Sequence, residues 1–241
     1  MRFSQQQANR LLPQSKKQLN CAQQPRGFTM ICKPDQMSQG KGIFITNDLD
    51  QISLEEPCVV QEYVNAPFLI DGLKFDMRLY VLVLSCDPLK IYLHKEGLVR
   101  FATEPYKSLN VNSGAEAMGN MYVHLTNYSL NKASESYKQA KSVDDDQGHK
   151  RSLSSLYTYL AKSGHNVPLL KEQISDCVTK TLLSVQKELS HNYHINQPGD
   201  DDGHMCFELL GFDIMLDHLL KPILLEVNQA PSFATDSPLD M

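Results

Sequence analysis

The last apolar run of the chain reads Ile223-Leu224-Leu225-Glu226-Val227-Asn228. Residues two apart on a strand share a face, so Glu226 and Asn228 stand side by side. A carboxylate in such a run is costly to bury alone. The preceding run has the same oddity, with Asp213 set inside Leu209-Leu210-Gly211-Phe212-Asp213-Ile214-Met215-Leu216. Residues 217–221 are few enough to close a hairpin, which brings Asp213 close to Glu226. Two carboxylates and an amide oxygen converging from apolar strands suit Mg2+, which takes hard oxygen ligands, few of them from protein. A pair of carboxylates hydrogen-bonded at the rim of a sheet is the competing reading.

Basic and polar residues earlier in the chain complement this acidic set. Lys33 ends a short apolar run and is followed by Gln39-Gly40-Lys41-Gly42. Glycines let backbone N–H groups approach a phosphate, and lysines add positive charge. This is not a Walker motif, and a solvated turn explains it as well. Lys74-Phe75-Asp76-Met77-Arg78 alternates charge along one face of a strand otherwise headed for the core, as would an ion-paired edge strand. Arg100 closes another run, and His124-Leu125-Thr126-Asn127-Tyr128 adds polar groups. His124 alone reads more readily as a satisfied structural histidine than as a catalyst. Basic residues early, a glycine-rich loop, then acidic and amide ligands on late strands together describe an ATP site with its metal.

The elements that must position these residues follow from patterning. Residues 29–33, 42–46, 58–64, 74–86, 90–94, 98–101, 206–216 and 222–228 are apolar runs rich in Val, Ile, Phe and Tyr, broken by Gly, Pro, Asp and Asn, which predicts strands. Asp87-Pro88 predicts a tight turn and a hairpin. Residues 132–150 read as a solvated loop, and 152–163 as a short helix. In 169–190, Leu170, Ile174, Val178, Leu182, Val185 and Leu189 recur three or four apart, one stripe of an amphipathic helix. The expected fold is α+β, a mixed, mainly antiparallel sheet with a helical insertion at about 131–203.

Composition sets the bounds. The chain has 241 residues and a net charge of −5, with 41% hydrophobic and 21% charged residues. That much apolar material excludes disorder along the whole length. Mild acidity argues against a general nucleic-acid binder. The six cysteines are scattered singly with no CxxC pair, which argues against a zinc ribbon. No apolar run approaches the ~20 residues of a membrane span, and the N-terminus lacks the apolar core of a signal peptide. The expectation is a reduced, intracellular protein. Residues 1–28 read as a flexible basic tail: the first 26 hold five basic residues, seven glutamines and no acid. A transit peptide is the alternative there.

Several motifs in order resemble the tubulin tyrosine ligase-like family, in wording closest to its polyglutamylase branch. They are Ile31-Cys32-Lys33-Pro34-Asp35, Gln39-Gly40-Lys41-Gly42-Ile43-Phe44-Ile45, Gln61-Glu62-Tyr63, the run from Asp71-Gly72 to Tyr80-Val81, Glu96-Gly97-Leu98-Val99-Arg100-Phe101, His124-Leu125-Thr126-Asn127-Tyr128-Ser129 and Leu225-Glu226-Val227-Asn228. The resemblance spans about 29–240. It implies an ATP-grasp fold and an ATP-dependent ligase joining glutamate to glutamate side chains of tubulin tails. It further implies that Lys33 faces the nucleotide phosphates under the Gln39, Gly40, Lys41, Gly42 loop. Gln61, Tyr63 and Val64 would form the adenine hinge, and Lys74 and Asp76 would hold the ribose side. Asp213, Glu226 and Asn228 would bind Mg2+, while Arg78, Arg100, Thr126 and Asn127 would line the reacting centre.

The implied chemistry converts the acceptor γ-carboxylate into an acylphosphate, which the amine of free glutamate attacks as phosphate leaves. Partners would be tubulin or microtubules and free glutamate, with no nucleic acid or membrane. The implied location is the cytoplasm and cytoskeleton, with cilium or basal body. Against the family pattern the chain is expected to be an N-terminally truncated, incomplete ATP-grasp unit. It carries Gln229-Ala230 where similar polyglutamylases have His then Ser, and it stops at Met241 without a basic extension. The alternatives are a non-catalytic truncated form that binds tubulin or nucleotide, or a related ligase such as a glycylase.

Overall fold

Two antiparallel sheets gather the apolar runs. The structure is a computed structural model describing residues 29–35, 40–53, 55–110, 113–142, 145–200, 203 and 205–232. The tail expected at 1–28, and Gln39, lie outside the described residues. The smaller sheet comprises β1 (Met30–Pro34), β2 (Phe44–Thr46) and β3 (Cys58–Glu62), in the order β2-β1-β3. The larger comprises β4 (Leu69–Ile70), β5 (Leu73–Cys86), β6 (Leu89–Phe101), β7 (Lys150–Ser152), β8 (Glu208–Leu216) and β9 (Pro222–Gln229). Its order is β7-β6-β5-β8-β9, with β4 also paired to β5. The pairings among the described strands are all antiparallel.

Five α-helices and a short 3-10 helix (Leu49–Gln51) complete the described chain, the α-helices being α1 (Ala115–Gly119), α2 (Met121–His124), α3 (Tyr128–Asn131), α4 (Leu153–Lys162) and α5 (Val167–Asn196). Alternation on β5 buries Phe75, Met77, Leu79, Val81 and Val83 on one side. Leu156 and Leu160 of α4 and Leu170, Ile174, Val178 and Leu182 of α5 cover that side. The α5 stripe recurs every four residues, so one helix face meets the sheet. Each such side chain contributes roughly 1.5–3 kcal/mol through burial. The Ser152 hydroxyl accepts from Ser155 N–H at 3.1 Å and Asn166 Oδ1 from Leu169 N–H at 3.1 Å, satisfying orphan donors where α4 and α5 begin.

The β8–β9 hairpin forms as its length requires. Asp217 Oδ1 accepts from Leu219 N–H at 2.9 Å and Lys221 N–H at 2.8 Å, locking the turn. Asp213 pairs with Glu226 and Ile214 with Leu224, so Leu225 is the extra residue of a bulge beside the two carboxylates.

Three expectations are corrected. β5 is a central strand rather than an edge, because β6 and β8 both pair along it. Residues 90–94 and 98–101 belong to one strand, kinked where Leu79 pairs with Gly97 but Val81 pairs with Leu93. The 132–150 segment is not solvated throughout: Gly148, His149 and Lys150 are buried, and β7 starts at its end. Period reading also missed α1 to α3, because one or two turns carry too few residues to show a stripe.

Candidate functional site

The charged residues of the larger sheet stand on the face opposite the helices. Across β5 and β6, Asp76 pairs in register with Arg100. Across β5, β8 and β9, Arg78 pairs with Asp213 and Asp213 with Glu226. Direct cross-strand partners share a face, so five ionisable groups form two adjacent rows. Arg100 Nε donates to Asp76 Oδ1 at 2.9 Å, and its Nη2 meets both Asp76 Oδ2 and Asp213 Oδ2, the latter at 2.9 Å. Arg78 grips Asp213 through Nε to Oδ1 and through Nη2 to Oδ2 at 3.0 Å. Burial works against charge on Asp213, but Arg78 and Arg100 hold its carboxyl below the usual range. Burial likewise opposes charge on Arg100, yet Asp76 and Asp213 keep it firmly protonated.

Glu226 behaves differently. Burial, and then the neighbouring Asp213, push its carboxyl up. Asn228 Nδ2 lies 3.2 Å from Glu226 Oε1 and 3.4 Å from Asp213 Oδ2, placing all three expected metal ligands together. Rotation of the Asn228 amide would turn its oxygen toward the carboxylates and supply a third oxygen ligand. Among the described residues no group of three His, Cys, Asp or Glu side chains could hold a metal. Two carboxylates and an amide nevertheless fit Mg2+, which needs few protein ligands, and a cation between them would relieve the repulsion felt by Glu226.

The smaller sheet forms the opposite wall. Lys33 Nζ donates to Gln61 Oε1 at 3.1 Å. Its charge favours the ionised form of Glu226 and disfavours that of Lys74, so it acts across the opening on both. The cleft between the walls is lined by Lys33, Gln61, Tyr63, Val64, Lys74, Asp76, Arg100, Thr126, Asn127, Asp213 and Glu226, among others. Gly40 closes on the same opening: at φ +80°, a Cβ there would sit 3.0 Å from Asn127 Oδ1, so the loop tip requires glycine on both counts. Gly42 also has positive φ, whereas Lys41 is exposed. Of the expected site residues that are described, Arg78, Gly40, Lys41, Gly42 and Asn228 do not line the cleft itself. Arg78 and Asn228 reach it through Asp213.

Lys74 is buried, and burial lowers its ammonium to about 7 despite the opposing pull of Asp76. Its Nζ donates to Tyr63 Oη at 3.2 Å and lies 4.5 Å from that ring's centroid. The Tyr63 hydroxyl lies 2.9 Å from His124 Nδ1, and His124 Nε2 lies 2.9 Å from the Ala117 carbonyl oxygen. That carbonyl only accepts, so Nε2 carries the proton, Nδ1 accepts from Tyr63, and Tyr63 accepts from Lys74. His124 is therefore a satisfied structural residue, and burial lowers its pKa.

Two supports were invisible in the sequence. Asn131 is buried; its Oδ1 accepts from Thr103 N–H and Oγ1, each at 3.0 Å. Its Nδ2 donates to the Leu125 carbonyl at 2.8 Å and the Asn127 carbonyl at 3.1 Å, fixing the backbone around Thr126. Asn65 Oδ1 likewise accepts from Leu109 N–H at 2.6 Å and from the Tyr106 hydroxyl at 3.1 Å, behind Tyr63. A lone asparagine carries no pattern that distinguishes such a role.

Comparison with known proteins gives this geometry its context. A probable beta-tubulin polyglutamylase of Tetrahymena thermophila is 50% identical over 211 residues, covering 87% of this chain and 17% of that protein. Human tubulin polyglutamylase TTLL6 is 48% identical over 212 residues, 88% of this chain and 23% of its own length. Mouse tubulin polyglutamylase TTLL13 is 49% identical over 214 residues, 88% of this chain and 26% of its own. The chain thus spans between 17% and 26% of the length of these relatives. Residues 1–241 match the sequence profile of the Tubulin-tyrosine ligase family, and the chain belongs to that family.

Proposed function

We propose that this chain carries the core of an ATP-dependent ligase of ATP-grasp type that joins glutamate to glutamate side chains of tubulin tails. The observation that supports it most is the convergence, in one cleft, of Lys33 and buried Lys74 with Asp213, Glu226 and Arg100, Arg78 reaching it through Asp213. A buried ammonium near neutrality gains from an anionic partner, and a nucleotide phosphate or ribose-side oxygen would supply polar contacts to it. Gln61, Tyr63 and Val64 supply the wall for the base, and the Gly40 to Gly42 turn supplies backbone N–H groups toward phosphate. Asp213, Glu226 and Asn228 would hold Mg2+, which neutralises phosphate charge when bound.

The remaining work falls on this chain's own side chains. The acceptor γ-carboxylate takes the terminal phosphoryl group of ATP, releasing ADP, and the amine of free glutamate then displaces phosphate from the resulting acylphosphate, losing a proton. Negative charge accumulates throughout, and Lys33, Arg78 and Arg100 meet it from fixed positions. Because Arg100 is braced by Asp76 and Asp213, little reorganisation is needed when charge develops. Thr126 and Asn127, held by Asn131, offer hydroxyl and amide groups at the same centre.

The relatives' names associate them with tubulin polyglutamylation, which supports glutamate and tubulin as substrates and a cytoskeletal location. No helix among the described residues is long and apolar enough to cross a membrane. Incorporation of labelled glutamate into tubulin by the full chain, with and without ATP, tests the reading. ATP-dependent incorporation is expected, with glycine and tyrosine competing poorly. Absence of any ATP-dependent signal overturns it.

A further inference from the structure

We propose that Gly211 and Pro231 form a clamp that positions Arg78 against Asp213, so that the chain leaving β9 fixes a cation that meets the transferred phosphoryl group. The inference rests on the ligase reading of the cleft and deepens it with two residues to which that reading gives no role. Gly211 precedes Asp213 by two on β8, so the two share the cleft-side face. It pairs in register with Tyr80 of β5 on one side and Asn228 of β9 on the other. A Cβ there would sit 3.0 Å from Pro231 Cβ, 3.1 Å from Arg78 Cδ and 3.3 Å from Arg78 Nε. Ordinary carbon–carbon contact needs about 3.5–4.0 Å. Gly211 is not among the residues with positive φ, so glycine serves here to leave room rather than to make a turn. The room is taken by the Arg78 stem and by Pro231.

The end of β9 delivers Pro231 to that place. β9 is the outer strand of its sheet, and Ala230 just after it holds φ +49°. A left-handed conformation costs a residue that carries a Cβ, and a following proline narrows the choice further toward extended backbone. Such a conformation persists where the surroundings enforce it. Its effect is to turn the chain off the strand and over the cleft-side face, with Pro231 buried between exposed Ala230 and Ser232.

Arg78 gains a second restraint from this arrangement. Arg100 is braced by two carboxylates, Asp76 and Asp213. Arg78 grips Asp213 through Nε and Nη2, and its side chain is 15% exposed. With Cδ and Nε set over a Cα that carries no side chain, and Pro231 over the same point, the guanidinium is confined at its stem as well as at its fork. A donor preset in this way needs little reorganisation when negative charge gathers. The expected metal ligand Asn228 is tied to the same residue, its Nδ2 lying 3.4 Å from the Gly211 carbonyl oxygen. A methyl group at position 211 therefore displaces Arg78, Pro231 or both. Removing the proline frees the stem while leaving the Arg78–Asp213 pair chemically intact.

The test uses the full chain with Gly211→Ala, Pro231→Gly and the double variant, and with Arg78→Lys to identify the Arg78 Nε–H signal by its loss from the 1H–15N spectrum. The readouts are that signal, urea unfolding, and the kinetics of labelled glutamate incorporation into tubulin with ATP. Each single variant should shift the Nε–H signal and speed its exchange with solvent. Each should lower kcat by about 10- to 100-fold, the scale of a small misplacement of a reacting group, with KM for ATP nearly unchanged. The double variant should lose no more than Gly211→Ala alone, because removing the proline opens room for the new methyl group and both changes act on Arg78. An unmoved Nε–H signal in both single variants overturns the inference, as do losses that add in the double variant. A fall in kcat that only tracks the unfolded fraction marks a packing role and overturns it too. Should Gly211→Ala fail to fold, Pro231→Gly decides by itself. If the unaltered chain incorporates no glutamate, the ligase reading fails, and the Nε–H signal still decides the clamp.

Discussion

Replacing Lys74 by methionine should stabilise the unliganded fold while removing its nucleotide response. The ordinary lysine value of 10.5 is lowered to about 7 at this site, with burial as the main cause. The folded chain therefore binds this proton more weakly than the unfolded chain does. Above pH 10.5 neither state carries it, and the residue costs nothing electrostatically. Between 10.5 and about 7 the unfolded state gains the proton first, so stability falls as the pH falls. Below about 7 both states are protonated and the cost is at its full value. At about 1.4 kcal/mol per tenfold change in proton affinity, that full value is on the order of 5 kcal/mol. Methionine fills similar volume but gives up the hydrogen bond to Tyr63, worth about 1 kcal/mol. A net gain of roughly 4 kcal/mol should appear at pH 6 and shrink from about pH 7 toward pH 10. Urea unfolding of both chains at pH 6, 7.5 and 9 measures it, alongside thermal shifts with ATP and Mg2+. A gap between the two chains that does not vary with pH would refute the reasoning, as would a variant less stable at every pH. So would an undiminished ATP shift in the variant.

Three further outcomes follow from the same cleft. Glu226→Gln removes a carboxylate already disfavoured as an anion by burial and by Asp213, so the fold should be retained, with loss of ligation and of the ATP–Mg2+ thermal shift. Ligand at 100 times its dissociation constant contributes about 2.7 kcal/mol, and survival of that shift would dismiss Glu226 as a metal ligand. Arg100→Met strips a partner from both Asp76 and Asp213 and should cost about 3–5 kcal/mol in urea unfolding near neutrality. Because Asp213 is held below the usual carboxylate range, its part of this cost is present above that range and fades as the pH drops through it; a cost under ~1 kcal/mol would mean the pair is not buried as described. Asn131→Ala leaves Thr103, Leu125 and Asn127 without their side-chain partner and should cost about 2–3 kcal/mol, with ligation falling further than stability alone explains. Full activity with lowered stability would reduce Asn131 to a packing role.

What the sequence determined by itself was local. Period-two alternation and a short link between two apolar runs are enough to set Asp213 beside Glu226 and Asn228, because hairpin pairing needs no information from elsewhere in the chain. The α5 stripe was legible for the same reason from Leu170 to Leu182, although Val185 is exposed and the helix runs Val167–Asn196 rather than 169–190. The motif residues announced themselves as charges within apolar runs, and the family resemblance ordered them.

Only the tertiary structure decided which charges meet. The Arg78–Asp213 bond joins residues 135 apart in the chain, and β7 joins β6 across the short helices between them. Such pairings depend on strand order, which hydrophobic period does not encode. The same holds for burial: Lys74 on β5 looked like an edge residue until strands on both sides enclosed it. Lys150 looked like the end of a loop until its register with Arg100 placed it in the sheet. A side chain's chemistry is written in its type, but its protonation and its partners are set by the dielectric and the neighbours that distant segments bring to it.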